Sequence, residues 1–121
     1  MTISQGNIGA ELPAVPVAEE IFERLSGGGD VLIERIVSTG QATPEGEWYD
    51  QERDEWVMVV SGAARLLVEG EESERRLYAG DWLILPAHCR HRVTWTQDSP
   101  PTVWLAVHYP PNPDSSDRFP G

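Results

Sequence analysis

Of the side chains whose types move protons or hold ions, two are read on strand faces turned toward a core. His91 opens the run His91-Arg92-Val93-Thr94-Trp95-Thr96, in which His91, Val93 and Trp95 alternate with Arg92, Thr94 and Thr96. That period of two marks a half-buried strand and sets the imidazole on the apolar face, looking into an interior just after a turn. Trp95, of the same parity, is expected to line that interior. Glu55 has the parity of Val57 and Val59, and an extended chain reaching back from it puts Tyr49 and Gln51 on the same face. A carboxylate beside an imidazole in an apolar barrel can orient and charge it. Glu55 and His91 are therefore candidates for metal-free proton transfer near neutral pH, with Tyr49 as a second acid or an orienting donor. The same pairing also occurs as plain structure, a histidine hydrogen-bonded to a glutamate.

Other reactive residue types are placed less favourably. His88, Cys89 and Arg90, just after Pro86, read as exposed turn residues, because one cysteine with adjacent spacing does not make a tetrahedral metal site. His108 shares parity with Trp104 and Ala106 and reads as a satisfied sheet histidine. Glu34 and Arg35 are neighbours in a β-branched run, so one must point inward if the other points out. A cross-strand ion pair near a sheet edge is expected there, in preference to Arg35 facing a cavity as a carboxylate clamp.

These residues need elements to position them. Gly80 and Asp81 form a turn, Trp82 to Leu85 is an apolar strand, and Pro86 stops the ladder because it has no N–H to donate. Val31 to Ser38, the run through Val57 and Val59, Ala64 to Val68, Arg75 to Tyr78 and Thr102 to Tyr109 read as further strands, with turns at Ser61-Gly62 and at Gly70 to Glu72. Residues 1–30 read as an extended arm and a short helix, with Pro16 in its first turn, Glu19 and Glu20 near the positive helix end, Ile21, Phe22 and Leu25 on one face, and Gly27 as the stop. Residues 31–109 then make the barrel, and the proline- and aspartate-rich residues 110–121 a flexible tail. Short strands at near-even intervals behind one short helix predict an all-β, single-domain antiparallel sandwich or barrel.

Composition narrows the function classes. At 121 residues the chain makes one domain, and a formal charge of −11 without a basic stripe argues against nucleic acid. All nine basic residues are arginine, which excludes Schiff-base chemistry on a lysine. The single Cys89 excludes an internal disulfide and a thiolate-rich metal site. No apolar run approaches a membrane span, and no basic segment precedes an apolar one at the start, so a soluble, cytoplasmic protein without a membrane partner is expected.

From Glu55 to Gly62 the chain reads E-x6-G, and from Gly80 to His91 it reads G-x5-P-x-H-x2-H. Together these resemble the two signature motifs of the cupin superfamily, small jelly-roll barrels, over about Val31 to Tyr109. The usual first motif is G-x5-H-x-H-x3-4-E-x6-G and the usual second is G-x5-P-x-G-x2-H-x3-N. The resemblance implies a jelly-roll (cupin) barrel and a site for one divalent metal ion, iron, manganese, nickel or zinc, at the positions of Tyr49, Gln51, Glu55 and His91. With the longer spacing, Trp48 and Asp50 replace the first two. Either way both expected histidines are absent. His88 stands where a glycine is usual, Trp95 where an asparagine is usual, and Thr43 where the first glycine would be.

Two imidazoles and a carboxylate would fix a metal firmly, whereas Gln51 offers a neutral amide oxygen and Tyr49 a phenol that ionises only near pH ~10 in its reference state. A weak divalent-metal site and no metal site both stay open. The resemblance implies a small-molecule ligand and, since dimers are common among such barrels, a homodimer. The functions it implies are a metal-dependent enzyme of oxygenase or isomerase/lyase type, or alternatively a metal-free ligand-binding or sensing barrel without catalysis.

Overall fold

The computed structural model describes residues 2–111, and within them the chain forms eight strands and no helix. They are β1 (Ile21–Gly28), β2 (Val31–Ser38), β3 (Asp54–Ser61), β4 (Ala63–Val68), β5 (Arg75–Tyr78), β6 (Trp82–Leu85), β7 (His91–Thr96) and β8 (Thr102–Tyr109). They build two antiparallel sheets, one in the order β1-β2-β8-β3-β6 and the other β5-β4-β7. The tail expected over 110–121 lies outside the described residues from position 112 onward. Among the described residues no helix is long and apolar enough to cross a membrane.

Register decides what faces inward. Residues directly opposed across neighbouring strands share a face, so the larger sheet presents rows of side chains. Leu32, His108, Glu55 and Leu85 make one row, Glu34, Ala106, Val57 and Leu83 the next, and Ile36, Trp104 and Val59 a third. Ala64, Leu66 and Leu77 of the smaller sheet close against Val57, Val59, Leu85, Trp104 and Ala106 of the larger. Each such Val or Leu side chain withdrawn from water favours folding by roughly 1.5–3 kcal/mol. The β3–β4 turn requires Gly62, which has φ 86°. A Cβ there would stand 2.7 Å from the Cα of Thr102, so only glycine lets β8 approach.

The short N-terminal helix is not formed. Ile21–Gly28 is a strand, paired with β2 from Ile21 opposite Val37 to Gly28 opposite Val31, with a bulge between Arg24 and Ser26. Gly27, read as the helix stop, instead leads through Gly29 at φ 58° into the turn of a β-hairpin. A lone amphipathic helix of two or three turns is marginal in water. The edge of β2 instead offers hydrogen bonds to the backbone groups of the segment that face it, and that pairing overrides the helical spacing of Ile21, Phe22 and Leu25.

On the outward face of β2, Arg35 fastens the N-terminal arm. Its Nη1 donates to the carbonyls of Ile8 (3.1 Å) and Ala10 (2.6 Å), and its Nη2 pairs with Glu23 Oε1 across the β1–β2 ladder at 2.6 Å. Thr39 and Gln41 tie down the arm's other end through Val17.

Trp95 does not line the interior. In the β4–β7 ladder Arg65 opposes Trp95 but Leu66 opposes Val93, which leaves Thr94 unpaired in a bulge. One extra residue flips the parity of everything beyond it. Thr96 is thereby buried, while Trp95 lies exposed under the guanidinium of Arg65, 5.3 Å from its ring.

Candidate functional site

Between the two sheets lies a cavity of about 90 Å³, open at one end. Its wall is apolar over Val57, Leu66, Leu85, Val93 and Trp104, and its polar groups gather where the rows of His108 and Glu34 meet β3 and β7. Tyr49, Gln51, Glu55 and His91 all border it.

Glu55 and His91 reach the cavity from strands, Tyr49 and Gln51 from a loop. The loop over residues 40–52 runs along the free edge of β7, where Thr43 N donates to Val93 O (2.8 Å) and Thr96 Oγ1 to Gln41 O (2.6 Å). Tyr49 and His91 exchange backbone hydrogen bonds at 2.7 and 3.1 Å, and His88 N donates to Gln51 O at 2.7 Å. The loop covers an edge that would otherwise be exposed. Since directly opposed residues share a face, it also turns Tyr49 inward, and the phenol ring stacks on the imidazole with centroids 5.4 Å apart. Asp54 holds the facing turn, its Oδ1 accepting from Ala87 N at 2.8 Å.

His91 is 5% exposed, and its Nδ1 lies 2.9 Å from the carbonyl oxygen of Cys89. A carbonyl can only accept, so Nδ1 carries the hydrogen and the neutral ring keeps its lone pair on Nε2. Burial pushes the Glu55 carboxyl above its ordinary 4.5, against the pull of His108 and His91, and Gln51 donates a hydrogen bond to it. His108 Nε2 bonds Glu34 Oε1 at 3.0 Å and stands 4.0 Å from Glu55 Oε2. Burial likewise raises Tyr49, helped by the negative Glu20 nearby. Glu20 is itself raised by burial, and it accepts from Ser38, whose oxygen takes the indole N–H of Trp104 at 3.0 Å.

Three cavity groups, His108, Glu34 and Glu20, were not among the residues singled out as site candidates. The alternation of β8 sets His108 with Trp104 and Ala106 but does not say which parity faces in, because Val103, Leu105 and Val107 on the other parity are equally apolar. The β2 rule that either Glu34 or Arg35 points inward was the available signal, and Glu34 is the one that does. His88 and Arg90 lie exposed on the turn, with Cys89 half-buried beside them. His88 adopts φ 62° at the place where glycine is usual, and its ring pairs with Asp50 at 2.8 Å outside the cavity. Trp48 stacks with Arg90 and Arg92.

Donor chemistry decides whether a metal fits. Among the described residues no three histidine, cysteine or carboxylate side chains are grouped so as to hold an ion. Glu55 and His91 Nε2 are sound donors. The Tyr49 phenol is made harder to ionise by its surroundings, the Gln51 amide is engaged with Glu55, and His108 Nε2 is engaged with Glu34. Two donors do not hold a divalent ion tightly, so this residue set does not fit the metal site of the usual motif. What the arrangement can do is accept a proton at His91 Nε2 and exchange one at Glu55, both bordering a small cavity.

Residues 34–108 match the family model described as Cupin domain. A solved protein of Ralstonia eutropha JMP134, provisionally described as a mannose-6-phosphate isomerase, is 53% identical, with TM-score 0.86 over 89% of this chain and 99% of that one. A cupin superfamily protein of Desulfitobacterium hafniense DCB-2 (15% identity, TM-score 0.70, 91% and 94% covered) and KdgF of a Halomonas species (23%, 0.60, 80% and 84%) share the fold. No curated protein matches.

Proposed function

Since this chain belongs to the cupin family, we propose that its barrel binds a small carbonyl compound and moves a proton on it without a metal ion. The observation that carries this reading is the meeting, in one cavity, of an imidazole whose Nε2 is left bare by the Cys89 carbonyl and a carboxyl whose pKa burial raises. His91 Nε2 takes a proton from the carbon next to the carbonyl while Glu55 gives one to the carbonyl oxygen. A C–H bond breaks, an O–H bond forms, and the electron pair rests in the enol. His91 then returns its proton to the former carbonyl carbon, while the hydroxyl on the neighbouring carbon gives its proton to Glu55 and becomes the new carbonyl, which completes an isomerisation and restores both side chains. A carboxyl with a raised pKa keeps a protonated fraction closer to neutral pH, which is what the acid role needs. Gln51 donates a hydrogen bond to Glu55, and His108, bonded to Glu34, stands 4.0 Å from it.

Size supports a small reacting end. The cavity of about 90 Å³ is smaller than an engineered apolar cavity of ~150 Å³ that takes one benzene. It holds a few non-hydrogen atoms, and the rest of a longer molecule extends past Tyr49. The isomerase description of the Ralstonia protein suits such chemistry. A second reading, binding or sensing without catalysis, draws on the Glu34–His108 hydrogen bond, which occupies one of the imidazoles.

The test is deuterium incorporation. Chelator-treated protein is incubated in D₂O with aldose–ketose pairs of three to six carbons, and exchange beside the carbonyl is followed by NMR. Exchange that persists with chelator and falls about 10²-fold or more in Glu55→Gln and His91→Asn supports the reading. Exchange that appears only on adding a divalent metal overturns it.

A further inference from the structure

The same cavity restricts what the ligand can be, an inference that rests on the cavity being the binding site proposed above. Three carboxyl groups border it, those of Glu20, Glu34 and Glu55, and among the described residues no arginine does. The chain has no lysine to supply a cation instead. The nearest arginine in sequence, Arg35, is on the opposite face of β2, its guanidinium committed to Glu23 and to two arm carbonyls. Arg92 and Arg90 lie against Trp48.

Hydrogen-bond capacity points the same way. An ionised carboxyl only accepts, as does His91 Nε2 in the tautomer fixed by Cys89, whereas Glu55 in its protonated form also donates. The Gln51 amide gives one N–H to Glu55 and the Trp104 indole its N–H to Ser38, which leaves the second Gln51 N–H and the Tyr49 hydroxyl as neutral donors. The lining thus combines acceptors with a few neutral donors. A phosphate or carboxylate brings acceptors and negative charge to a lining of three carboxyl groups, whose basic neighbours are the imidazoles of His91 and His108, the latter committed to Glu34. A hydroxyl brings no charge and can both donate to the acceptors and accept from the neutral donors.

We infer that the ligand of this cavity is an uncharged, hydroxyl-bearing small molecule and that phosphorylated or carboxylated analogues are rejected. On this chain the description given to the Ralstonia protein would therefore not carry over to its phosphorylated substrate.

Matched pairs test this. Chelator-treated full-length protein is titrated with glyceraldehyde and glyceraldehyde 3-phosphate, and with mannose and mannose 6-phosphate, following the imidazole ¹H–¹⁵N signals of His91 and His108. The expected result is that the unphosphorylated member of a pair binds about tenfold or more tightly than its partner. The ratio should shrink severalfold in Glu20→Gln, which changes one carboxyl near the mouth, and further in Glu20→Gln/Glu34→Gln. The inference is overturned if a phosphorylated member binds as well as its partner, if neither unphosphorylated sugar moves the signals, or if the ratio ignores Glu20→Gln. Its failure is separable from that of the catalytic reading. Binding of the unphosphorylated sugar without deuterium exchange leaves the ligand class standing and removes the proton transfer; exchange confined to the phosphorylated sugar does the reverse.

Discussion

The ring of His91 donates through Nδ1 to the carbonyl oxygen of Cys89 across 2.9 Å, a bond between residues two apart that chooses which nitrogen meets the cavity. A main-chain acceptor cannot be lost to side-chain rotation, so the choice is built into the turn after Pro86. Long-range ¹H–¹⁵N spectra should show neutral His91 protonated at Nδ1 and bare at Nε2. His91→Asn can reproduce the Nδ1 donor and should stay within about 1 kcal/mol of parent stability while losing the cavity-facing base. The opposite tautomer in the spectrum would remove the base from the mechanism.

Glu55 carries a pH signature. Its folded pKa lies above the ordinary 4.5, chiefly because burial disfavours the carboxylate. A group raised in this way binds its proton more tightly when folded, so its contribution is present in full below about pH 4.5 and is lost as pH rises through the raised value. Glu20, raised for the same reason, acts in the same direction. Denaturation midpoints should therefore decline from pH 4.5 toward neutrality in this window, and Glu55→Gln, which cannot ionise, should flatten the decline and gain stability at pH 7. An unchanged slope in the variant would place the titrating group elsewhere.

The absent imidazoles can be restored. Tyr49 and Gln51 border the cavity beside Glu55 and His91, so Tyr49→His/Gln51→His completes a three-nitrogen, one-carboxylate donor set. The parent should show almost no rise in melting temperature with millimolar Ni²⁺ or Zn²⁺. The double variant should rise by several degrees, since a ligand at 100 times its Kd adds about 2.7 kcal/mol. A parent that is itself stabilised by metal would contradict the fit argument drawn from its donors.

What the sequence disclosed and withheld follows from physics of different range. Turn glycines and alternation are local, so β3 to β8 were legible, as were the inward Glu55 and His91. The N-terminal segment was not, because Ile21, Phe22 and Leu25 fit a helix as well as a strand until the edge of β2 is present to pair with. Trp95 was misplaced by a bulge at Thr94, which no run of residue types announces. His108 went unrecognised because Val103, Leu105 and Val107 are as apolar as Trp104 and Ala106, which removes the polar–apolar contrast that reveals a face. The rows that bring Glu34, His108 and Glu55 together depend on strand order, β2 beside β8 beside β3, and that order joins segments far apart in the chain.

Arg35 provides a control for the two faces of β2. Its side chain is 6% exposed, and it secures Ile8 and Ala10 as well as Glu23, whose own side chain is 43% exposed and so adds little through charge. Arg35→Ala removes two hydrogen bonds to the arm and leaves their carbonyls to find water as the arm lifts. Destabilisation of about 2 kcal/mol is expected, with faster proteolytic cleavage near residues 8–10. Because the guanidinium faces away from the cavity, binding of an unphosphorylated sugar should keep the parent Kd. Loss of that binding, in a variant that still unfolds cooperatively, would show that the arm and the cavity are coupled and would revise the separation of the two faces.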